Sequence, residues 1–431
     1  MNERCYGAIT DTDVIIVGGG MAGSALAYAL ASFGIETTVL ERQAIHQDRV
    51  RGEVINCWGL REAQELKVLE ILEAAGGNYA DRFVAYDETV TAEHAEAVAL
   101  DVGSMLEGIP GVLDVGHPEA CAALLAAAES AGATVLRGVT DTQVAAGAKP
   151  QVHFRAQGRD RLRTARLVVG ADGRVSATRR QLGVRLTQTP ANSLGGGLLA
   201  DGIDGWRQDT SGIGTEGDLL YFVYPRANGR ARLYLLHSPQ QKGRFSGPTA
   251  AADFLAAFRF DCIPDSATIF GNARPATPRT PCAFFPMNDS WCDVITRPGA
   301  VLIGDAAGWS DPVIGQGLSI ALRDARLVRD ALVAHSRWTE DIFADYIAER
   351  EVRMRRLLLS AKVRTAMGLT FGPFGRRRRR AYAETWPKDE ILAGSRLATF
   401  KGPHNVPAES FEPHVIERIL RLGDPSLASE K

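Results

Sequence analysis

The chain opens on two hydrophobic periods in quick succession. Asp13-Val14-Ile15-Ile16-Val17 is a continuous apolar run of β-branched residues, the pattern of a strand buried on both faces. Gly18-Gly19-Gly20-Met21-Ala22-Gly23 interrupts it, and Ser24-Ala25-Leu26-Ala27-Tyr28-Ala29-Leu30-Ala31 follows with strong helix formers. Gly34 stands where a helix C-terminus takes a left-handed residue. Ile35–Leu40 returns to strand patterning and ends in Glu41. Two later stretches repeat the strand-to-turn transition. Arg166–Val169 runs into Gly170-Ala171-Asp172-Gly173, with Ser176 and Arg179 on the helix that follows. Ala300–Ile303 runs into Gly304-Asp305-Ala306-Ala307, and Pro312-Val313-Ile314-Gly315-Gln316-Gly317-Leu318 then opens a long helix.

Between residues 186 and 281 the texture changes to β-rich patterning. Leu219–Pro225 and Ala231–His237 flank Asn228-Gly229, a turn pair that tolerates positive φ, and together they predict a hairpin. Period-two alternation puts Tyr221 with Val223 on one face and Phe222 with Tyr224 on the other, so one set is core or exterior. Tyr221, Tyr224, Tyr234 and His237 are the polar aromatic candidates of this hairpin. Residues 346–431 read as a helical tail. Ala348–Leu359 is basic and amphipathic, and the run Arg376–Arg380 reads as a solvated helix turn. Beside the apolar stretch Met367–Phe374, that run also offers a surface for peripheral contact with an anionic membrane or carrier.

A strand, a glycine turn, a helix, a second strand and an acid about 20 residues beyond the glycines make up a dinucleotide fingerprint. Gly18 permits the tight turn, Gly20 lets a pyrophosphate approach the backbone, and Gly23 lets helix and strand pack closely. The helix N-terminus attracts phosphate charge, and Glu41 can accept hydrogen bonds from ribose hydroxyls. The fingerprint alone leaves NAD and FAD both open.

Composition adds limits. The 431 residues carry 45% hydrophobic and 23% charged side chains, as in a soluble globular protein. A net charge of −2 gives no electrostatic case for nucleic acid. No apolar stretch reaches membrane-spanning length, and Met1–Cys5 shows no signal-peptide core, so a cytoplasmic location is expected. Six cysteines (Cys5, Cys57, Cys121, Cys262, Cys282, Cys292) show no metal spacing and read as reduced, mostly buried thiols; no metal is expected.

The three glycine segments in this order, with PxxGxG after the third, resemble the flavoprotein monooxygenases of the para-hydroxybenzoate hydroxylase type over about residues 12–345. The resemblance implies an α/β fold: a Rossmann-like FAD-binding domain, an inserted β-sheet substrate domain and a helical C-terminal tail. It implies FAD binding by 1–80, 107–185 and 282–345, and a substrate domain from 81–106 and 186–281, before the tail 346–431. Glu41, next to Arg42, would hold the adenosine ribose; Gly18, Gly20, Met21, Ala22 and Gly23 would face the pyrophosphate, with Arg51 as a further contact. Asp172 and Gly173 match the motif used near the pyrophosphate and in NAD(P)H use. Asp305 would bind the ribityl chain, the backbone amides around Gly315, Gly317 and Leu318 would face the pyrimidine edge of the ring, and Pro312 would shape the loop on the ring's face. The implied activity uses NAD(P)H and O2, through a C4a-hydroperoxyflavin, to hydroxylate or epoxidise an aromatic or polyketide-like small molecule.

Two positions depart from that family. Gly308-Trp309 follows Gly304–Ala307 where many members have His, and Asp114-Val115-Gly116-His117-Pro118 stands where members often place an arginine. His117 reads as a surface or cap histidine, with a donor standing in for that arginine as the alternative. Trp58, Tyr221, Trp309 and Val313 are the substrate-near candidates, with Cys57 beside Trp58; no catalytic base is assigned. A reductase of isoprenoid double bonds, of the geranylgeranyl reductase type, remains an alternative compatible with Gly308 and Asp311-Pro312. A flavin-dependent halogenase is another, although its WxWxIP signature is missing and Trp206, Trp291 and Trp309 stand isolated.

Overall fold

In the computed structural model, residues 10–50, 52–278 and 280–424 are described; Arg51 and Cys5, both singled out above, lie outside them. The β-branched run forms the strand Thr10–Val17 at the centre of an eight-stranded sheet. It pairs in parallel with Thr37–Glu41 on one side and Arg159–Gly170 on the other, and Ala300–Leu302 continues the parallel set. Register does the functional work. Val17 lies beside both Leu40 and Gly170, and Gly170 beside Leu302, so all four strands end level. The glycine turn, Glu41, Ala171-Asp172 and Gly304-Asp305 therefore emerge at one carboxyl edge, where open α/β sheets bind ligands.

Helix Met21–Ser32 follows the glycine turn and packs against helices His117–Ser130 and Gly317–Ala334. It ends as expected, with Gly34 at φ +75°.

The hairpin is present: Leu219–Arg226 pairs antiparallel with Arg230–His237 around Asn228 and Gly229, whose φ values are +64° and +68°. It belongs to a second sheet with Ser193–Asp201, Thr210–Glu216 and Arg82–Ala85. The alternation sorts its side chains into two cores. Tyr221, Val223, Leu233 and Leu235 pack outward beneath Phe254 and Phe258, which the short helix Ala250–Ala256 and the loop after it supply. Phe222, Tyr234 and Leu236 face the first sheet.

The tail forms helices Ala344–Gly368, Gly372–Thr385, Glu390–Lys401 and Pro413–Leu420 around a small core that includes Val363, Met367, Leu392 and Ile416. Its arginines correct the surface reading. Arg350 and Arg353, inside the basic amphipathic stretch, are buried against Asp324. Within Arg376–Arg380, Arg379 is buried and pairs with Asp87 and Glu88, Arg376 also pairs with Glu88, and Arg378 lies over the Phe374 ring. That run docks the tail on the loop at 87–88 and leaves less free charge than a solvated turn would. The thiols are also less buried than expected: Cys57 and Cys121 are buried, whereas Cys262, Cys282 and Cys292 are half-buried.

Candidate functional site

The level strand ends open onto an elongated cleft of about 790 Å³, bounded by the first sheet, the second sheet and the start of helix Gly317–Ala334. One end is built by the glycine turn. Gly18 adopts φ +107°, and a Cβ there would meet the Ala171 carbonyl at 2.4 Å. A Cβ on Gly23 would stand 2.0 Å from the Gly18 carbonyl oxygen, so helix and turn touch backbone to backbone. Gly20 has nothing within 4 Å of its missing Cβ and faces the open cleft with Met21 and Ala22. Gly23 thus packs beneath the turn and does not line the cleft. Glu41 closes this end: its carboxylate accepts the Gly19 and Gln43 amides at 2.6 Å each, and Arg42 lines the wall beside it. A carboxylate has lone pairs beyond these two bonds for a further donor. His117, half-buried in the first turn of its helix, also faces this end, as do His46 and Arg49, which sequence reasoning missed.

Midway, Asp172 accepts from the Thr178 amide at 2.9 Å and from the Thr178 and Ser176 hydroxyls. Ser176 caps the short helix Ala177–Gln181 through the Arg179 amide. Arg179 is buried, donating to the Ala306 and Arg174 carbonyls at 3.0 Å. Asp305 lies on the cleft wall and pairs with Arg174 at 3.3 Å. The Arg174 guanidinium sits 5.2 Å from the Trp309 ring. Arg174 was not singled out from the sequence, although its place directly after Asp172-Gly173 put it at the strand edge.

The far end is framed by Pro312, Gly315, Gly317 and Leu318, all on the wall, with Phe222, Tyr224 and Tyr234 from the second sheet opposite. Gln316 precedes helix Gly317–Ala334 without a side-chain cap, and no acid occupies its first turn. Helix Met21–Ser32 at the other end is likewise uncapped and free of acids. Two helix N-termini thus face one cleft with their amides available. Trp309 lines the cleft, and its buried indole N–H has no hydrogen-bond partner among the described residues. Val313 borders a smaller adjoining chamber with Val54, Phe222 and Tyr224.

Two substrate-near candidates are displaced. Tyr221 is fully buried in the outer core, donates to the Tyr86 carbonyl at 2.8 Å and stacks on Phe260 at 4.7 Å. The strand presents its other face to the cleft, so Tyr224 occupies the place proposed for it. Trp58 is also buried away from the cleft; its indole N–H donates to Gln316 Oε1 at 2.8 Å, bracing the turn before the long helix. Cys57 donates to the Val102 and Gly111 carbonyls, and burial pushes its thiol up to about 12, an inert group. His237 points into the outer core against Phe245 and Phe284.

Comparison with known proteins follows the same geometry. The sequence profile of the family described as "FAD binding domain" matches residues 11–361. Squalene monooxygenase SE1 of Panax ginseng is 26% identical over 325 residues, covering 74% of this chain and 58% of its own length. The chain thus spans little more than half of that relative. The 3-demethoxyubiquinol 3-hydroxylase of Escherichia coli K12 is 25% identical over 382 residues, covering 84% and 90%. Among solved structures, the flavin-dependent halogenase CmlS superposes with a TM-score of 0.71 at 18% identity, covering 98% of this chain and 78% of its own. At that identity the likeness is one of fold.

Proposed function

The chain belongs to the FAD binding domain family, and from that footing we propose that it is an FAD-dependent monooxygenase acting on a small molecule with an apolar body. The observation that carries the reading is the pair of uncapped helix N-termini that line one cleft, with an aromatic wall over the second. A dinucleotide of FAD's length has anionic phosphates for the first and a ring that gains charge on reduction for the second. The residues present fit it.

In this reading Glu41 accepts from the adenosine ribose, and the amides after Gly20 receive the pyrophosphate, with Asp172 and Gly173 shaping the opposite wall. Asp305, held by Arg174, meets the ribityl chain. Gly315, Gly317 and Leu318 line the pyrimidine edge, where the helix N-terminus stabilises negative charge by roughly 0.5–2 kcal/mol. When bound, FAD supplies the redox chemistry, with NAD(P)H as electron donor and O2 as oxygen source. Phe222, Tyr224, Val313 and Val54 then exclude water from the substrate chamber, and the free Trp309 N–H offers one donor to a bound acceptor. Two relatives whose names describe a monooxygenase and a hydroxylase support oxygen insertion over the other outcomes of this fold.

The test uses purified protein: flavin absorbance, then NADH and NADPH oxidation with and without O2 across a panel of phenols and quinols. Bound flavin and substrate-stimulated, O2-dependent product are expected. Protein without flavin, product formed anaerobically, or product formed only with halide would each overturn the reading.

A further inference from the structure

Beyond the substrate chamber lies a second cavity, between the second sheet and the tail helices. The chamber lies between them: it shares Tyr224 and Gly315 with the cleft and Arg364 and Ile314 with the cavity. Most of the cavity wall is apolar, with Phe83, Leu220, Val363, Met367 and Trp386. Besides Arg379, two further arginines nevertheless stand in it, Arg364 on helix Ala344–Gly368 and Arg396 on helix Glu390–Lys401.

No carboxylate of the described residues neutralises either one. The acid in the cavity wall, Asp87, is engaged by Arg379 at 2.9 Å. Arg396 lies over the Trp386 ring at 4.7 Å, and its buried Nε has no hydrogen-bond partner. The Ser360 hydroxyl on the same wall is also unpartnered. Burial pulls both guanidiniums below their ordinary range, Arg396 to about 10, and the Arg364 charge pushes Arg396 further in the same direction. Two like charges in an apolar recess, with orphaned donors beside them, are costly unless an anion completes the site.

We propose that this cavity binds the anionic head, a carboxylate or phosphate, of an amphipathic substrate whose apolar body runs past Tyr224 toward the cleft. Two guanidiniums and a hydroxyl match the acceptors of such a head. The head is anchored by the tail while the body is presented at the cleft's Gly315 end. This assignment rests on the monooxygenase reading only in calling the ligand a substrate.

The experiment is calorimetric titration of the purified protein, supplied with FAD, with dodecanoate, dodecyl phosphate, 1-dodecanol and dodecyltrimethylammonium, each below its micellar or solubility limit. At least one anion is expected to bind about tenfold or more tighter than the alcohol and the cation; which anion identifies the head. The double variant Arg364→Gln/Arg396→Gln is expected to lose that preference while binding the alcohol within about twofold of wild type. Equal binding of alcohol and anion, tighter binding of the cation, or an anion preference that survives in the double variant would overturn the site. If the variant does not fold, the wild-type ranking of the four ligands decides alone. Flavin content is read on the same samples. Flavin without anion preference overturns this site only, and anion preference without flavin overturns the function and not the site.

Discussion

Asp324 and Arg350 form a buried ion pair at 3.0 Å that ties the tail to the Gly304–Gly308 turn. Asp324 also accepts the Gly304 amide at 2.8 Å, and Arg350 donates to the Ala307 and Gly308 carbonyls at 3.2 and 2.9 Å. Arg353 completes the cluster from the other carboxylate oxygen at 2.7 Å. Burial alone would raise the Asp324 carboxyl; the two guanidiniums overcome it and hold the group below its ordinary value. The turn that presents Asp305 is therefore clamped from behind by a helix outside the sheet.

Arg350→Met should leave the Gly304–Gly308 carbonyls unpaired and the cluster one charge short. A loss of about 3–5 kcal/mol in unfolding free energy is expected, as for other broken buried pairs. Flavin affinity should fall about tenfold or more, read by fluorescence titration after denaturant titration shows the variant folded. Unchanged flavin affinity would show that the clamp does not position Asp305.

The glycine turn separates folding from binding. Gly20→Ala adds a methyl into open space, so the flavin-free protein should melt within about 1 °C of wild type yet lose flavin retention. Gly23→Ala drives a methyl against the Gly18 carbonyl and should lower both, by about 1–3 kcal/mol in stability. Thermal melts of stripped and reconstituted protein compare the two. Retained flavin in Gly20→Ala would remove the pyrophosphate from that face.

The two neighbouring tyrosines should behave oppositely. Tyr221→Phe deletes a buried hydrogen bond to the Tyr86 carbonyl and should cost about 1 kcal/mol while leaving KM unchanged. Tyr224→Phe, at the cleft and chamber wall, should alter KM severalfold at near-normal stability. A KM effect from Tyr221 with none from Tyr224 would reverse the face assignment.

Asp289 accepts the Asp311 amide at 2.7 Å beneath the Trp309–Pro312 loop. Burial, with Asp311 adding repulsion, pushes its carboxyl from 3.8 up to about 7. The folded form holds this proton more tightly than the unfolded chain. Stability from this group is therefore full below about pH 4 and falls as pH rises toward 7, by at most about 1.4 kcal/mol per pH unit. Asp289→Asn should flatten that slope and melt higher than wild type at pH 8. Denaturant titrations from pH 5 to 8 measure it; a wild-type curve without the slope would refute the shift.

Much of the nucleotide end was legible because its elements are local. The run Val14–Val17, the glycines and Glu41 each carry their own pattern, and parallel register brings them together without help from distant residues. The hairpin was legible for the same reason, since Asn228-Gly229 and the alternation announce it. Its facing was not. Alternation says that Tyr221 and Tyr224 part company, but which side meets the cleft depends on where helix Ala250–Ala256 and the loop after it cover the sheet. Trp58 misled in the same way: chain proximity to Gly52-Glu53 suggested the ring, whereas packing turned it beneath Gln316.

By itself, then, the order of apolar runs and glycines determined the strand–turn–helix units and their common binding edge, because backbone conformation and hydrophobic period are properties of short segments. The tertiary structure decided everything that depends on charge in a particular surrounding. Arg379 reads as a solvated charge, and Arg350 and Arg353 as part of a basic amphipathic helix, yet all three are buried on Asp324, Asp87 and Glu88, while Arg364 and Arg396 line an apolar cavity. A guanidinium's role depends on what lies within a few ångströms of it, and chain order does not give that distance.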